Sequence, residues 1–352
     1  MTTYLFLKKN KNLFILFIFS LLIYIIKSKQ ELVEKLYSTF FYEIISNLSL
    51  TIVNKISFSV GDILYLITPF LFYRFLIKKN QTRRRLLTKT IVAFLFFYVV
   101  FNLQWGLNYY RVPLKNKANN YKSYSINELL ETTNFFITKT NDLHNILSIN
   151  DTISVKYDNL NFDIEKESIK SIKKTAFVKN KNLDLKIKKS IFSTPISYMG
   201  FGGYINPFTL EAQINYNIPT INVPTTICHE IGHQLGYSAE DEANYIGIIS
   251  TIKSENKHIQ YSGYSQGLKY LINEIYIIDK KLYEQLLATI KIGVLKNYKE
   301  AGEEWKKYDN PFETYFKKVY DLFLKANNQT KGIKSYNLVV DLLVNKYTNL
   351  EF

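Results

Sequence analysis

Two histidines four residues apart, with a glutamate directly after the first, constrain this chain more than any other stretch. The pattern is His229-Glu230-Ile231-Gly232-His233. A helix places positions four apart on one face, one turn from each other. The two imidazoles can then reach a single metal ion, with Glu230 beside the first of them, placed to take a proton from a water on that ion. A bound Zn²⁺ lowers the pKa of such a water from about 15.7 to about 7. That chemistry asks for both histidines, the carboxylate and an open coordination position. The chain has only 4 histidines, so the pattern is not a by-product of histidine richness. Ile221, Val223 and Ile227 lead into the stretch and predict a buried helix rather than a solvated one.

A third ligand is expected just downstream. Gly236 suits a left-handed helix end, and Ser238 suits the N-cap of a second helix starting at Ala239. The chain then turns back and brings Glu240, Asp241 or Glu242 within reach of the histidines. Glu240, Ala243, Asn244 and Gly247 share one small, polar face that can pack closely on the histidine helix. Glu242 shares its face with Ile246 and Ile249 and is expected to point into apolar packing. Glu240 is therefore the favoured ligand and Asn244 the expected hydrogen-bond partner of a histidine. Asp241 and Glu242 remain alternatives. The plainer reading of the three acids is that they complement a helix dipole. Further on, His258, Tyr261 and Tyr264 are candidates to donate a hydrogen bond to a developing oxyanion, against the commoner reading of ordinary polar groups. Cys228 reads as a small apolar neighbour.

The first third of the chain has a different character. Residues 12–26 carry no charge and are nearly all apolar, with Lys8, Lys9 and Lys11 before and Lys27 and Lys29 after. No small-residue cleavage site follows, so the stretch reads as an uncleaved membrane helix rather than a signal peptide. Residues 60–77 form a second, weaker candidate span with Pro69 inside, and 90–110 a third that ends in Trp105, Tyr109 and Tyr110. Residues 30–59 are expected to form an amphipathic, aromatic-rich outer loop. Lys78, Lys79, Arg83, Arg84, Arg85 and Lys89 make a dense basic segment between the second and third spans. Positive segments stay cytoplasmic. Three crossings from an inside N-terminus then place everything after Tyr110 outside the cytoplasmic membrane.

The net charge of +15 is mostly explained by these flanks and by Asn/Lys/Ile/Tyr-rich composition; no nucleic-acid motif accompanies it. The single cysteine excludes an intramolecular disulfide framework. Residues 111–352 are long enough to bury a sizeable core. Helices are predicted over 126–147, 164–177, 261–278, 281–295, 312–324 and 336–347, with 179–189 a charged connection and 327–332 a loop. Strands are predicted over 196–203 and 213–218, the second half-buried, with Ile214, Tyr216 and Ile218 on one face. An edge strand just before the histidine helix can hold an extended peptide by main-chain hydrogen bonds. Two core strands without a ligand are the bland alternative.

Five passages carry a resemblance to a bacterial membrane-protein family, domain of unknown function 3810. They are Phe58-Ser59-Val60-Gly61-Asp62-Ile63-Leu64-Tyr65; Trp105-Gly106-Leu107-Asn108-Tyr109-Tyr110-Arg111; Tyr198-Met199-Gly200-Phe201-Gly202-Gly203-Tyr204 with Pro207-Phe208-Thr209; the histidine stretch with Glu240-Asp241-Glu242-Ala243-Asn244; and Ser335-Tyr336-Asn337-Leu338-Val339-Val340-Asp341-Leu342-Leu343. The resemblance implies a membrane-anchored, zincin-like protein of unassigned function. Glu240-x-x-Ala243-Asn244 is also similar to the third-ligand element of zincins that use glutamate, although the seven-residue step from His233 is shorter than usual there.

Together these readings predict a mainly α chain with a small β-sheet. Residues 1–110 form a three-helix membrane region and 111–352 a zincin-like α+β catalytic domain. The expected activity is peptide hydrolysis with Zn²⁺ as cofactor, the lipid bilayer and a peptide or protein as partners, and no nucleic acid. The alternative is a non-catalytic membrane scaffold or envelope-assembly subunit with a structural or decayed metal site.

Overall fold

Among the described residues helices dominate, with one small sheet among them. The structure, a computed structural model, describes residues 11–77, 82–117, 121–158 and 160–348. It divides into two units: Met1–Val112 with Asn206–Glu211, and Pro113–Ile205 with Ala212–Phe352. The first unit thus takes in Asn206–Glu211 from far along the chain, which a single division at residue 110 does not include.

In the first unit, α1 is Lys11–Lys27. Helix α2, Gln30–Val53, occupies the segment expected to be a loop, and its Val33–Phe41 portion is wound as a π-helix. Its aromatic residues sit at helical spacing, with Val33, Tyr37, Tyr42, Leu50 and Val53 buried. Bonds from far along the chain hold it. Tyr37 Oη donates to the Leu103 carbonyl (3.1 Å), and Ser38 Oγ donates to Asn108 Oδ1 (2.9 Å). Arg111 forks onto Glu34 through Nε–Oε2 and Nη2–Oε1 contacts of 3.0 Å each, a bidentate geometry that favours Arg over Lys. Helix α3 is Val60–Leu76, capped by Ser59 Oγ, which accepts from the Asp62 N–H (3.0 Å). The Glu211 carboxylate accepts from the N–H groups of Val60 (3.1 Å) and Gly61 (2.6 Å) at the start of α3. A carboxylate there satisfies helix-end donors that have no intrahelical partner.

Helix α4 runs Arg83–Gln104. This corrects the expected third span of 90–110 at both ends. Thr82 caps the helix, so Arg83, Arg84 and Arg85 form its first turn. At the other end Trp105 leaves helical geometry and Gly106–Tyr110 form a 3₁₀ turn. A Cβ on Gly106 would meet the Phe101 ring, so the chain closes tightly there. Among the described residues α4 is long and apolar enough to cross a membrane, and α1 with α2 would qualify as one span broken by a 105° bend. Lys8, Lys9, Lys78 and Lys79, used in the topology argument, lie outside the described residues.

The second unit opens, after a turn at Leu114–Lys117, with α5, Ile126–Leu147. The boundaries match those predicted because Ser125 and Glu128 form a reciprocal capping box. Helix α6 (Ile164–Lys173) is capped by Asp163 and ends earlier than the predicted 177. Strand β1 (Ile187–Lys189) lies in the predicted charged connection. Residues 196–203 were expected to be a strand, but α7 (Ser193–Tyr198) takes the first part of that stretch. The strand β2 begins only at Gly203 and ends at Ile205. Strand β3 is Ala212–Ile214, shorter than predicted. The sheet order is β1-β3-β2, with β1 parallel and β2 antiparallel to β3. As the central strand, β3 is buried at all three residues, so Gln213 is covered as fully as Ile214, whereas Tyr216 beyond it is exposed. The predicted alternation fails for that reason.

Next come α8 (Val223–Gln234), α9 (Glu240–Ile252) and α10 (Lys257–Ile278), the last capped by Asn256 Oδ1. The helix predicted over 281–295 is two: α11 (Lys280–Leu287), capped by Asp279, and α12 (Ile292–Lys306). Helix α13 is Glu313–Ala326; a 3₁₀ turn at Gly332–Leu338 and α14 (Val339–Thr348) close the described chain. Helix α9 lies in the middle of the unit, buried along nearly its whole length. Ile227, Ile231, Ile246, Ile248, Leu268 and Leu271 form the packing around it. Each such side chain stabilises by roughly 1.5–3 kcal/mol relative to exposure.

Candidate metal centre

The local fold of the site follows from three glycines and one proline. Pro224 lies in the first turn of α8, where its missing N–H costs nothing. Gly236, at φ 86°, ends the helix. Its N–H donates to the His233 carbonyl (2.9 Å), and the Tyr237 N–H donates to the Gly232 carbonyl (3.1 Å), the paired bonds of a left-handed helix stop. The predicted role of Gly236 matches this geometry. Gly232 faces Ile246, and a Cβ on Gly247 would stand 2.8 Å from the Thr225 carbonyl oxygen and 3.3 Å from the His229 nitrogen. The small face of α9 predicted from Ala243 and Gly247 thus lies directly on the histidine helix.

The turn brings Glu240 back to the imidazoles. Its Oε2 lies 3.4 Å from His229 Nε2 and 3.6 Å from His233 Nε2. One ligand atom from each of the three residues lies within 4.8 Å of the others. Tetrahedral zinc, with bonds of about 2.0–2.2 Å, holds its ligand atoms about 3.3–3.6 Å apart. Glu240 Oε2 is buried and makes no hydrogen bond. A buried carboxylate oxygen that makes no hydrogen bond and faces two ring nitrogens fits a cation, because a buried carboxylate needs a positive partner. His233 Nδ1 donates to the Tyr237 carbonyl (2.8 Å), which turns its Nε2 toward Glu240.

Electrostatics point the same way. Burial pulls the His233 imidazole down, but the Glu240 carboxylate outweighs it and raises the group to about 9. Burial pushes Glu240 up, yet the two imidazoles hold it well below the usual carboxylate range. In the metal-free protein a proton on His233 thus takes the place of a cation. Glu230 is pushed up to about 7, mainly by burial and against the pull of His229 and His233. Its Oε2 has no hydrogen-bond partner, and its other oxygen packs against β2, where a Cβ on Gly203 would come within 2.7 Å of Oε1.

The other predicted residues separate cleanly. Glu242 is not at the histidines: its Oε1 accepts the Leu114 N–H at 2.6 Å. Asp241 is raised to about 6, chiefly by burial. It does not belong to the His229–His233–Glu240 group. Asn244 is buried, but its Nδ2 has no partner; the carbonyl of Tyr237 serves His233 instead. Ser238 was expected to cap α9 and does not. Ala239 holds the cap position, and Gln329 Oε1 accepts the Glu240 N–H at 3.2 Å.

The expected oxyanion donors are corrected too. Tyr261 Oη is committed to Asn297 Oδ1 (2.9 Å). Tyr264 packs on Phe135 and Phe136, and His258 on Tyr157 and Phe162. The reason is helix direction. Gly263 and Gly267 pack against Ile248 and Thr251, at the far end of α9 from Glu240. Eight residues of helix separate Glu240 from Ile248, about 12 Å. Cys228 is buried and its thiol is pushed up to about 12 by burial, in keeping with a packing role.

Sequence reasoning missed the residues that brace Glu240. Tyr320 Oη donates to Glu240 Oε1 at 2.6 Å, and Phe201 packs edge-on against the Tyr320 ring at 4.9 Å between centroids. Tyr336 also adjoins Glu240 and Tyr320: burial first, then the Glu240 carboxylate, push its phenol well above the ordinary range. Phe201, Gly203 and Tyr336 lie in passages that carry the family resemblance.

A family model described as "Protein of unknown function (DUF3810)" matches residues 37–344. No curated protein and no solved structure matches the chain.

Proposed function

The chain belongs to that family, whose description names no activity, and we propose that it is a membrane-anchored zinc metallopeptidase. The orphaned Glu240 Oε2 facing the Nε2 atoms of both histidines carries this reading. His229, His233 and Glu240 would hold Zn²⁺, and three protein donors leave a coordination position open, as a catalytic rather than a structural site requires. When bound, Zn²⁺ supplies Lewis acidity to a water and to the scissile carbonyl. Glu230 takes the proton of the attacking water and passes it to the departing amine, a role suited to a carboxylate held near neutrality. Among the described residues strand β2 pairs only with β3 in the sheet, and its Gly203 lies against Glu230. An extended peptide added along the other side of β2 would pass beside that carboxylate. That supports a peptide substrate.

The membrane reading rests on composition and length. Helix α4, with 22 residues, spans about 33 Å, against a hydrocarbon thickness of about 30 Å. Helices α1 and α3, each of 17 residues, reach about 26 Å, and Lys11, Lys27 and Arg74 at their ends can make up the difference by reaching to the headgroups. With an inside N-terminus and three crossings, the second unit lies outside the cytoplasmic membrane.

Metal content of the purified protein tests the site. The expected result is about one zinc per chain after dialysis, lost in His233→Ala. Cleavage of a peptide library by the wild type but not by Glu230→Gln completes the assignment. Zinc-free wild type after zinc loading would overturn it.

A further inference from the structure

Helix α13 presents a second apolar face that its own fold does not cover. Phe312, just before the helix, and Tyr315, Val319, Leu322 and Phe323 step by three and four residues along one stripe, and all are 39–66% exposed. The opposite side of the helix meets the protein, with Leu324 fully buried and Tyr320 bonded to Glu240. A helix apolar on both sides needs a second partner for the outer one.

The charges beside the stripe identify that partner. Glu313 and Asp321 are already paired by Lys317 (2.5 Å) and Lys325 (2.6 Å) of the same helix. Lys318, three residues from Tyr315 and four from Leu322, is exposed at the edge of the stripe, whereas Lys331 and Lys334 belong to the turn that closes on Asp321. The two acids of the helix are thus paired, and the charge at the edge of the stripe is positive. An amphipathic helix with aromatic and aliphatic residues on one face and, among the described residues, an unpaired lysine at its edge suits an anionic lipid surface. The second unit is also joined through the Val112–Pro113 peptide to the unit carrying α4. If α4 is embedded, this tether keeps lipid at high effective concentration and makes a weak contact sufficient.

We propose that the outer face of α13 docks on an anionic lipid bilayer. The proposal does not depend on a metal at His229 and His233. The test uses the full chain carrying one added cysteine, Val319→Cys, Leu322→Cys or Thr314→Cys, labelled with an environment-sensitive fluorophore; buried Cys228 stays unlabelled. Proteoliposomes contain phosphatidylglycerol and phosphatidylcholine, with a quencher attached to the acyl chains. The probes at positions 319 and 322 should shift to the blue and lose most of their emission, while the probe at position 314, on the polar side, should keep it. Replacing phosphatidylglycerol with phosphatidylcholine should weaken the quenching. Equal behaviour at all three positions would overturn the proposal. So would disulfide-linked dimers of the Leu322→Cys variant without lipid quenching, which would make the face an interface between copies. Flotation of the same proteoliposomes reads membrane anchoring separately, so failure of the anchor and failure of this face are distinguishable.

Discussion

Tyr320 Oη donates a 2.6 Å hydrogen bond to Glu240 Oε1, leaving Oε2 as the oxygen that faces His229 and His233. The two residues are 80 positions apart, and the bond divides the labour of one carboxylate. One oxygen is held by the protein and the other is left for a cation. The Tyr320 ring is itself held by Phe201.

Removing that hydroxyl should loosen the carboxylate without removing a ligand. Outer partners of this kind typically contribute about 10–100-fold in metal affinity. Tyr320→Phe should therefore bind zinc about 10–100-fold more weakly than wild type in chelator competition, with an unchanged circular dichroism spectrum. Wild-type affinity in the variant would mean that Glu240 needs no such orientation.

Glu230 and Glu240 are both buried acids on neighbouring helices, and their surroundings drive them apart. Glu240 is held ionised by two imidazoles, whereas Glu230 is raised to about 7 by burial. The proposed mechanism gives the two acids different roles, ligand and proton carrier. Glu230→Gln should retain full zinc stoichiometry and lose about 10²–10⁴-fold in kcat. A variant that lost zinc instead would place Glu230 among the ligands.

The His233–Glu240 contact also sets a pH dependence in the metal-free protein. Because the folded value of His233 lies above its ordinary one, the stability it contributes is complete below about pH 6.5 and is lost as pH rises through about 9. Glu240, depressed, contributes stability above about pH 4.5 that is lost only as the pH falls far below it. Zinc must displace the His233 proton, so its affinity should rise by up to about tenfold per pH unit on the way to pH 9. An NMR titration of the metal-free protein should show one imidazole with a midpoint near 9. If all four histidines titrated near their ordinary value, the ion pair would not exist in solution.

What could be read in advance was local. The histidine spacing, the left-handed Gly236, the small face of α9 and the period of the 126–147 helix depend on residues a few positions apart, and the structure has each of them. The bracing of Glu240 by Tyr320, Gln329 and Tyr336 depends on chain segments 80 to 96 residues away, which no period reports. The short strands failed for a related reason. Three-residue strands carry too little pattern, and β3 is buried on both faces. His258, Tyr261 and Tyr264 were near in sequence but were carried to the wrong end of α9 by the antiparallel course of α10.

Gly203 offers the sharpest separation of binding from chemistry. It opens β2 opposite Ile214, and its Cα approaches both the strand partner and the Glu230 side chain. A methyl group there would lie 2.5 Å from the Gln213 carbonyl oxygen and 2.7 Å from Glu230 Oε1. Both distances are too short for a real Cβ, so either the hairpin opens or Glu230 moves. None of the three candidate ligands is among the atoms that such a methyl would meet first. Gly203→Ala should thus keep about one zinc per chain while losing most of its peptidase activity, with kcat falling more than zinc affinity. Gly202→Ala is the matched control, since its Cβ would meet the Thr226 side chain at 3.4 Å and Ile218 at 4.0 Å, both ordinary contacts. Equal activity in the two variants would remove β2 from the proposed catalytic geometry.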